Sequence, residues 1–120
     1  TTQSCANCCN LKKSNCARTL DKVVFATSHN AMSSRQEQWL QPNNVHIVES
    51  ALKAGIRALM LDLYYRWPVN ATPAEREMPT PVHLCHGYCT IGFSYFNITL
   101  ATIKEFLDAN PREVLVLILE

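Results

Sequence analysis

Residues 56–64 read IRALMLDLY, an apolar run that is interrupted only by Arg57 and Asp62. Such a run is typical of a strand that is buried on both faces, as in a parallel sheet. A carboxylate inside it is costly unless it is paired, hydrogen-bonded or bound to a metal ion. Arg57 precedes Asp62 by an odd number of positions, so the two side chains point to opposite faces of a strand. An ion pair with Arg57 is therefore disfavoured, whereas Arg66, a group on another strand and a ligand remain open as partners of Asp62.

Two further apolar runs end in polar groups in the same way. Residues 23–27 lead into His29, and residues 82–84 lead into His86. Because the carboxyl ends of neighbouring parallel strands converge on one pocket, we expect both histidines to lie near Asp62. Two imidazoles in one pocket could do acid/base chemistry on a phosphate ester. The alternatives are a loop or capping role for His29 and an incidental position of His86 in a turn.

The remaining segments alternate between helices and strands. The predictions are a helix that begins after Asn43 or Asn44 and ends at Gly55, an exposed excursion over residues 65–81, a helix from Thr99 to Asn110-Pro111, and a strand at Val114–Leu119. Right-handed crossovers would place the strands in one largely parallel sheet. The predicted fold is α/β, a TIM-like (β/α) barrel entered over residues 21–120 for its first half.

The two ends of the sequence suggest a piece of a larger domain. The chain begins with Thr1 rather than Met, and the apolar run Val114–Leu119 stops at Glu120 without a polar tail. A buried parallel strand needs neighbours on both sides. We therefore expect further strands to follow, and we expect the isolated fragment to be inactive because those strands would close the barrel and complete its pocket.

The cysteines indicate an oxidising compartment. Four of the six lie in residues 1–20, which form a polar, Cys-rich head, and the other two, Cys85 and Cys89, flank His86. Sequons at Asn70 and Asn97 would carry glycans in an extracellular chain. A bridge between Cys85 and Cys89 would rigidify the loop around His86. The alternative is a reduced, zinc-binding head, although its cysteine spacing lacks a second ligand pair.

Charge and hydropathy exclude two classes of partner. The formal net charge is +1, and Lys12-Lys13 is the basic cluster of the chain, which argues against a nucleic-acid surface. No apolar run approaches the roughly 20 residues that a membrane-spanning helix needs.

A cation site is a further expectation. Glu120 ends its strand at the same type of position as Asp62, and Asn30 offers an amide oxygen after the first strand. Carboxylate and amide oxygens suit Ca²⁺ or Mg²⁺, so Asn30, Asp62 and Glu120 are the predicted metal ligands. The alternative is a solvated Glu120.

Four segments, in this order, resemble the X domain of phosphatidylinositol-specific phospholipase C. They are residues 26–32 (ATSHNAM), 55–62 (GIRALMLD), 84–87 (LCHG) and 110–120 (NPREVLVLILE), and the likeness covers about residues 22–120. It is closest to the secreted or membrane-anchored X-domain proteins of plants, fungi and protists. The resemblance implies a distorted TIM-like barrel, with His29 as the base that deprotonates the inositol 2-hydroxyl and His86 as the acid that protonates the leaving diacylglycerol oxygen.

The sequence departs from two known versions of the family, each at one position. The calcium-dependent animal enzymes have a glutamate where this chain has Met60, and the metal-free bacterial enzymes have an arginine where it has Asp62. Asn30, Asp62 and Glu120 match the calcium pattern. The resemblance therefore implies a weakened or rebuilt Ca²⁺ or Mg²⁺ site.

The predicted function is that of a phospholipase C-type phosphoric diester hydrolase. It would act on a phospholipid such as phosphatidylinositol, in transient contact with a membrane surface. We expect it to be secreted or on the extracellular face; the options are a free protein and one that is anchored to the membrane through a segment that follows Glu120. The alternatives are a sphingomyelinase D-like or glycerophosphodiesterase-like activity, and a secreted binding module that has lost turnover, for which Met60 is the main sign.

Overall fold

A computed structural model describes residues 5, 7–65, 67, 70–77 and 81–120. Its elements in chain order are two 3-10 turns (Lys13–Ala17 and Leu20–Lys22), β1 (Thr27–Ser28), α1 (Val48–Lys53), β2 (Ala58–Leu61), β3 (Leu63–Tyr65), α2 (Pro73–Arg76), β4 (Val82–Cys85), β5 (Phe93–Tyr95), α3 (Phe96–Ala109) and β6 (Val116–Leu119). The mixed α/β class is confirmed. The described strands form two three-stranded sheets, and neither closes into a barrel.

The parallel sheet has the strand order β1-β2-β6. Thr27 of β1 lies opposite Ala58 of β2, and Ala58 lies opposite Val116 of β6. Side chains alternate along β2, so Leu59 and Leu61 point to one face, where both are fully buried. They join one hydrophobic core with α1 and α3. The predicted buried strand and its helical cover are therefore confirmed for residues 58–61.

The run at residues 56–64 is not one strand, which corrects the prediction of a single parallel sheet. It breaks at Asp62, and β3 pairs antiparallel with β4, which pairs antiparallel with β5. The chain changes neighbours at this point, because Leu63 N donates to Glu120 O at 2.7 Å while Cys85 N donates to Asp62 O at 3.3 Å. Asp62 therefore lies at the junction of the two sheets.

Several element boundaries also differ from the prediction. The first strand is only Thr27–Ser28, and α1 begins at Val48, after Ile47, because Asn44 is used in a loop and not as a helix cap. α3 begins at Phe96, so Thr99 lies buried inside it and does not cap it. Its predicted end at Asn110 is confirmed.

Gly55 ends the α1 segment as predicted. Its φ of 106° is a conformation that favours glycine. A Cβ at this position would lie 2.7 Å from Leu11 Cδ1 of the Cys-rich head. The absence of a side chain thus serves both the turn and the close approach of the head.

The Cys-rich head is held by two disulfides, Cys5–Cys8 and Cys9–Cys16. All six cysteines of the chain are in disulfides, so the head lacks the free thiolates that the zinc alternative needs. The head contacts the rest of the protein through Asn10, whose backbone N donates to Glu113 Oε2 at 2.7 Å.

Glu113 is also the partner of buried Arg57, with 3.0 Å between Arg57 Nη2 and Glu113 Oε1. Arg57 therefore pairs with Glu113 and not with Asp62, which agrees with the prediction that Arg57 and Asp62 point to opposite faces of a strand. Arg66, the other predicted partner of Asp62, lies outside the described residues.

No helix in the described part of the chain is long and apolar enough to cross a membrane.

Candidate active site

Three of the predicted site residues meet at the junction of the two sheets. His86 Nδ1 lies 2.9 Å from Asn30 Nδ2 and 3.4 Å from Asp62 Oδ2. Asn30 follows β1, Asp62 follows β2, and His86 follows β4. An amide, a carboxylate and an imidazole thus form one contiguous polar cluster.

Asn30 is held in an unusual backbone conformation. Its φ is 47°, in the left-handed region that asparagine tolerates better than most residues. Its side chain is buried, and the next residue, Ala31, donates its backbone N–H to Met60 O at 2.9 Å. The chain reversal after β1 therefore aims the Asn30 amide at His86 and ties the reversal to β2.

Asn44 holds this reversal from the other side. Its Nδ2 donates to His29 O at 3.0 Å and to Asn30 O at 2.8 Å, and its Oδ1 accepts from Ser28 Oγ at 2.9 Å. Sequence reasoning missed this role, because an asparagine just before an apolar helical pattern is also typical of a cap. The left-handed backbone conformation of Asn30 is the feature that these hydrogen bonds from Asn44 stabilise.

A disulfide fixes the loop that carries His86. Cys85 and Cys89 are bonded, and Cys85 is fully buried at the end of β4. Gly87 follows with a φ of 71°, so the chain turns back immediately after the imidazole. The side chain of His86 is 39% exposed, which leaves it accessible to a ligand while Asn30 and Asp62 contact it.

The carboxylate of Asp62 has one free oxygen. Oδ2 faces His86, whereas Oδ1 is buried and has no hydrogen-bond partner among the described residues. A buried carboxylate oxygen without a partner is costly, so it indicates a missing proton donor or cation. Asp62 can therefore stabilise an imidazolium with one oxygen and bind a cation with the other.

Glu120 lies beside Asp62 in the parallel sheet. Its backbone N donates to Leu61 O at 3.1 Å, which extends the β2–β6 register by one residue. Its side chain is exposed and makes no hydrogen bond in the described part of the structure. No three His, Cys, Asp or Glu side chains form a metal-binding cluster among the described residues. The set Asn30, Asp62 and Glu120 contains only two acidic groups.

His29 lies next to this cluster along the chain but does not join it. Its imidazole is exposed, and the hydrogen bonds of the described residues do not bring it to His86. It lines a cavity of about 380 Å³ together with Asn43, Asn44 and His46. The structure therefore places His86 with Asn30 and Asp62, and His29 on a separate cavity.

The family model for phosphatidylinositol-specific phospholipase C, X domain, matches residues 17–120. The chain belongs to this family. The matched region contains all five predicted catalytic and metal-binding positions, His29, Asn30, Asp62, His86 and Glu120. No curated protein and no solved structure matches the chain. The family defines a phospholipase C-like phosphodiesterase class and, at a coarse level, a phospholipid substrate.

Proposed function

We propose that this chain carries the acid/base machinery of a phospholipase C that cleaves a phosphatidylinositol-like phosphodiester. Membership of the X-domain family supports the class of reaction. The single observation that carries the proposal is the contact of His86 with both Asn30 and Asp62 at the junction of the two sheets. The parallel sheet would form one side of a TIM-like barrel.

His86 is the general acid of this mechanism. In the protonated ring, Nδ1–H faces Asp62 Oδ2 at 3.4 Å, so the carboxylate orients the imidazole. The protonated ring donates a proton to the oxygen that leaves phosphorus as that bond breaks. The Cys85–Cys89 disulfide holds the loop that carries the ring, so that little orientation is lost in reaching the transition state.

His29 is the general base. Asn44 fixes the backbone carbonyl of His29, while the exposed imidazole remains free to meet a substrate hydroxyl. The ring accepts the proton of that hydroxyl as its oxygen attacks phosphorus. With an inositol lipid, the attack of the 2-hydroxyl produces a cyclic phosphodiester and diacylglycerol.

Asp62 and Asn30, with Glu120 in the adjoining strand, would hold a Ca²⁺ or Mg²⁺ ion. The unpartnered Oδ1 of Asp62 supports this fit. A bound cation would supply charge stabilisation to the phosphoryl oxygens. Met60 occupies the position on the same strand where the calcium-dependent enzymes have a further carboxylate, so we expect weak affinity for the ion.

The disulfides and the sequons support an extracellular site of action. All cysteines are paired, as is usual in oxidising compartments. Asn97 is exposed on α3, and Asn70 is exposed at the edge of a cavity that Trp67 also lines, so both sequons are accessible to glycosylation without disturbing the core. We propose that the protein is secreted or held on the outer face of a membrane.

The test is the effect of single histidine substitutions on hydrolysis of phosphatidylinositol by the full-length protein. His29→Ala and His86→Ala should each lower kcat by about 10²-fold or more, because each removes a proton-transfer group. His46→Ala is the matched control, since His46 is an exposed histidine on the same cavity as His29. Its rate should stay at the wild-type value.

The products distinguish this proposal from its rivals. Phosphorus NMR should show a cyclic inositol phosphate. The absence of any cyclic inositol phosphate among the products would instead favour a sphingomyelinase D-like or glycerophosphodiesterase-like reaction. Wild-type rates in both histidine variants would contradict the acid/base assignment.

A binding module without turnover is the second candidate, and Met60 favours it because an apolar side chain replaces an anionic ligand. In that case the wild-type protein would bind phosphatidylinositol vesicles without releasing any product. His29→Ala and His86→Ala would then leave the hydrolysis baseline unchanged.

A further inference from the structure

The antiparallel sheet borders a second cavity, which is lined by aromatic rings and has a volume of about 670 Å³. We call it the aromatic cavity; its principal lining residues are Glu37, Trp39, Trp67, His83, Phe93 and Tyr95. None of the active-site residues Asn30, Asp62 and His86 lines it. Its volume is within the range of small-molecule sites.

Three rings form a packed corner in this cavity. His83 and Tyr95 lie opposite each other on β4 and β5, with ring centroids 5.0 Å apart. Phe93 lies edge-on to Tyr95, with centroids 5.7 Å apart and an interplanar angle of 89°. Phe93 and Tyr95 remain 51% and 41% exposed, respectively, which is a large apolar exposure for paired aromatic residues.

The opposite wall comes from the loop that carries Trp39. Leu40 N donates to Ile91 O at 3.1 Å, which joins this loop to the segment before β5. Gly92 lies directly against Trp39, since a Cβ at Gly92 would be 2.5 Å from Trp39 Cδ2. Close packing of the indole on the backbone of Gly92 therefore fixes the position of Trp39 beside β5.

The cavity has a fixed negative charge at its edge. Glu37 Oε2 accepts from Ser34 Oγ at 2.8 Å, and Ser34 is fully buried, so the carboxylate is held in place. Among the described residues, the lining contains no lysine or arginine. This combination disfavours an anionic ligand and favours a cation.

His83 supplies an unused polar group. The residue is buried, with a relative exposure of 7%, and its Nδ1 has no hydrogen-bond partner among the described residues. A buried ring nitrogen without a partner lowers stability. A ligand hydroxyl or amide entering the cavity would provide the missing partner.

We propose that the aromatic cavity binds a quaternary ammonium group of the choline type. Aromatic ring faces attract organic cations, and a trimethylammonium group offers both positive charge and apolar surface to such rings. Phe93, Tyr95 and Trp67 provide the rings, and Glu37 provides the countercharge. The proposal goes beyond hydrolysis and does not depend on it, because the cavity lies outside the Asn30–Asp62–His86 cluster.

Tryptophan fluorescence tests the proposal directly. The chain has two tryptophans, Trp39 and Trp67, and both line the cavity. Titration with choline should change the emission, whereas dimethylbutanol, the uncharged carbon isostere of choline, should bind about tenfold more weakly or not at all. Equal affinity for the two compounds would overturn the proposal, and this comparison requires no variant.

Two substitutions locate the binding to the cavity. Phe93→Leu keeps apolar bulk but removes a ring face, and Glu37→Gln removes the charge but keeps an acceptor for Ser34. Each should weaken choline binding by about threefold to tenfold. The matched controls are Tyr65→Leu and Glu105→Gln, which change an exposed ring and an exposed carboxylate outside the cavity. Unchanged binding in both cavity variants would contradict the assignment.

Vesicles identify the source of the ligand. A response to free choline supports a soluble ligand, and a response confined to phosphatidylcholine vesicles, absent with phosphatidylglycerol vesicles of the same acyl chains, supports a lipid headgroup. No response to choline and none to phosphatidylcholine would overturn the proposal. These measurements contain no hydrolysable inositol lipid, so their failure is distinct from a failure of the proposed phospholipase activity.

Discussion

At the scale of single residues, Asn30 and Asp62 act on the same ring nitrogen of His86. Asn30 contacts His86 Nδ1 at 2.9 Å, and Asp62 Oδ2 lies 3.4 Å from the same atom. The amide N–H donates to Nδ1 when that nitrogen is unprotonated, whereas the carboxylate accepts from Nδ1 when it carries a proton, so each residue holds the ring in one protonation state. The other carboxylate oxygen of Asp62, Oδ1, is buried without a partner among the described residues. It is therefore free to accept from a ligand or to bind a cation beside the imidazole of His86.

Met60 gives a residue-scale prediction about the cation. It lies on β2 in register with Ile118 of β6, two positions before Asp62, which follows β2. Met60→Glu would add a carboxylate to a site with only two acidic groups, so the Ca²⁺ concentration for half-maximal hydrolysis should fall by about tenfold or more. Hydrolysis assays at buffered Ca²⁺ concentrations measure this value.

Ile118→Glu is the control for the Met60 substitution, because it adds the same charge at the neighbouring position of β6. It should shift the Ca²⁺ requirement less than Met60→Glu does. Hydrolysis that EDTA leaves unaffected in the wild-type protein would contradict the proposed cation site.

At the scale of elements, the loop between β4 and β5 depends on its disulfide. The Cys85–Cys89 bond closes a turn that contains His86 and Gly87. Cys85→Ala with Cys89→Ala should lower kcat by about tenfold and change KM little, because the ring would lose its fixed orientation while the substrate surface remains. Steady-state kinetics separate the two parameters.

The matched control for that loop is the removal of the head disulfide, Cys9→Ala with Cys16→Ala. This disulfide has a sequence separation of 7 and lies in the head, away from the His86 loop. Its loss should lower the midpoint of thermal unfolding but leave kcat near the wild-type value. An equal loss of kcat in both double variants would show that the Cys85–Cys89 effect is a general loss of stability.

The elements also explain how far sequence reasoning reached. Strong periodic signals succeeded: the apolar residues 58–61 form a buried parallel strand, and Gly55 and Asn110 end their helices. The change from a parallel to an antiparallel sheet at Asp62 could not be predicted, because both kinds of buried strand give the same apolar run. β5 is too short for its pattern to stand out from the adjoining helix.

The candidate site was predicted unevenly for a related reason. Polar residues at strand ends pointed to Asn30, Asp62 and His86, which lie together in the structure. Asn44 escaped notice because its partners are backbone carbonyls of residues that the chain reversal brings near it. Contacts of that type depend on tertiary structure and leave no local pattern in the sequence.

At the scale of the whole molecule, Glu113 connects three regions. Its carboxylate pairs with Arg57, just before β2, and accepts from the backbone N of Asn10 in the Cys-rich head. Both charged side chains are almost fully buried, with exposures of 5% and 6%. Arg57 also lies over the ring of Phe106 at 4.7 Å, so the pair joins the head and the parallel sheet to α3.

Acid should therefore loosen the whole fold through Glu113. Burial raises the pKa of its carboxyl, but hydrogen bonds from Arg57 and Asn10 outweigh burial, so the pKa lies below its ordinary value of 4.5. Because the pKa is lower in the folded state, the ionised carboxyl stabilises the fold at pH values above its ordinary pKa of 4.5. This stabilisation is lost as the pH falls through the folded-state pKa. Urea unfolding from pH 7 to pH 3 should show a falling free energy of unfolding below about pH 4.5.

Glu113→Gln isolates this contribution from those of the other carboxylates. The variant should lose about 3 kcal/mol at pH 7, because it leaves the buried Arg57 guanidinium without its countercharge. Its free energy of unfolding should then fall less steeply than that of the wild type below pH 4.5, so the two curves converge in acid. Glu105→Gln, which changes an exposed carboxylate on α3, should remain parallel to the wild type throughout. Curves for Glu113→Gln that stay equally far from the wild type at every pH would contradict the linkage, because the titrating group would then be another carboxylate.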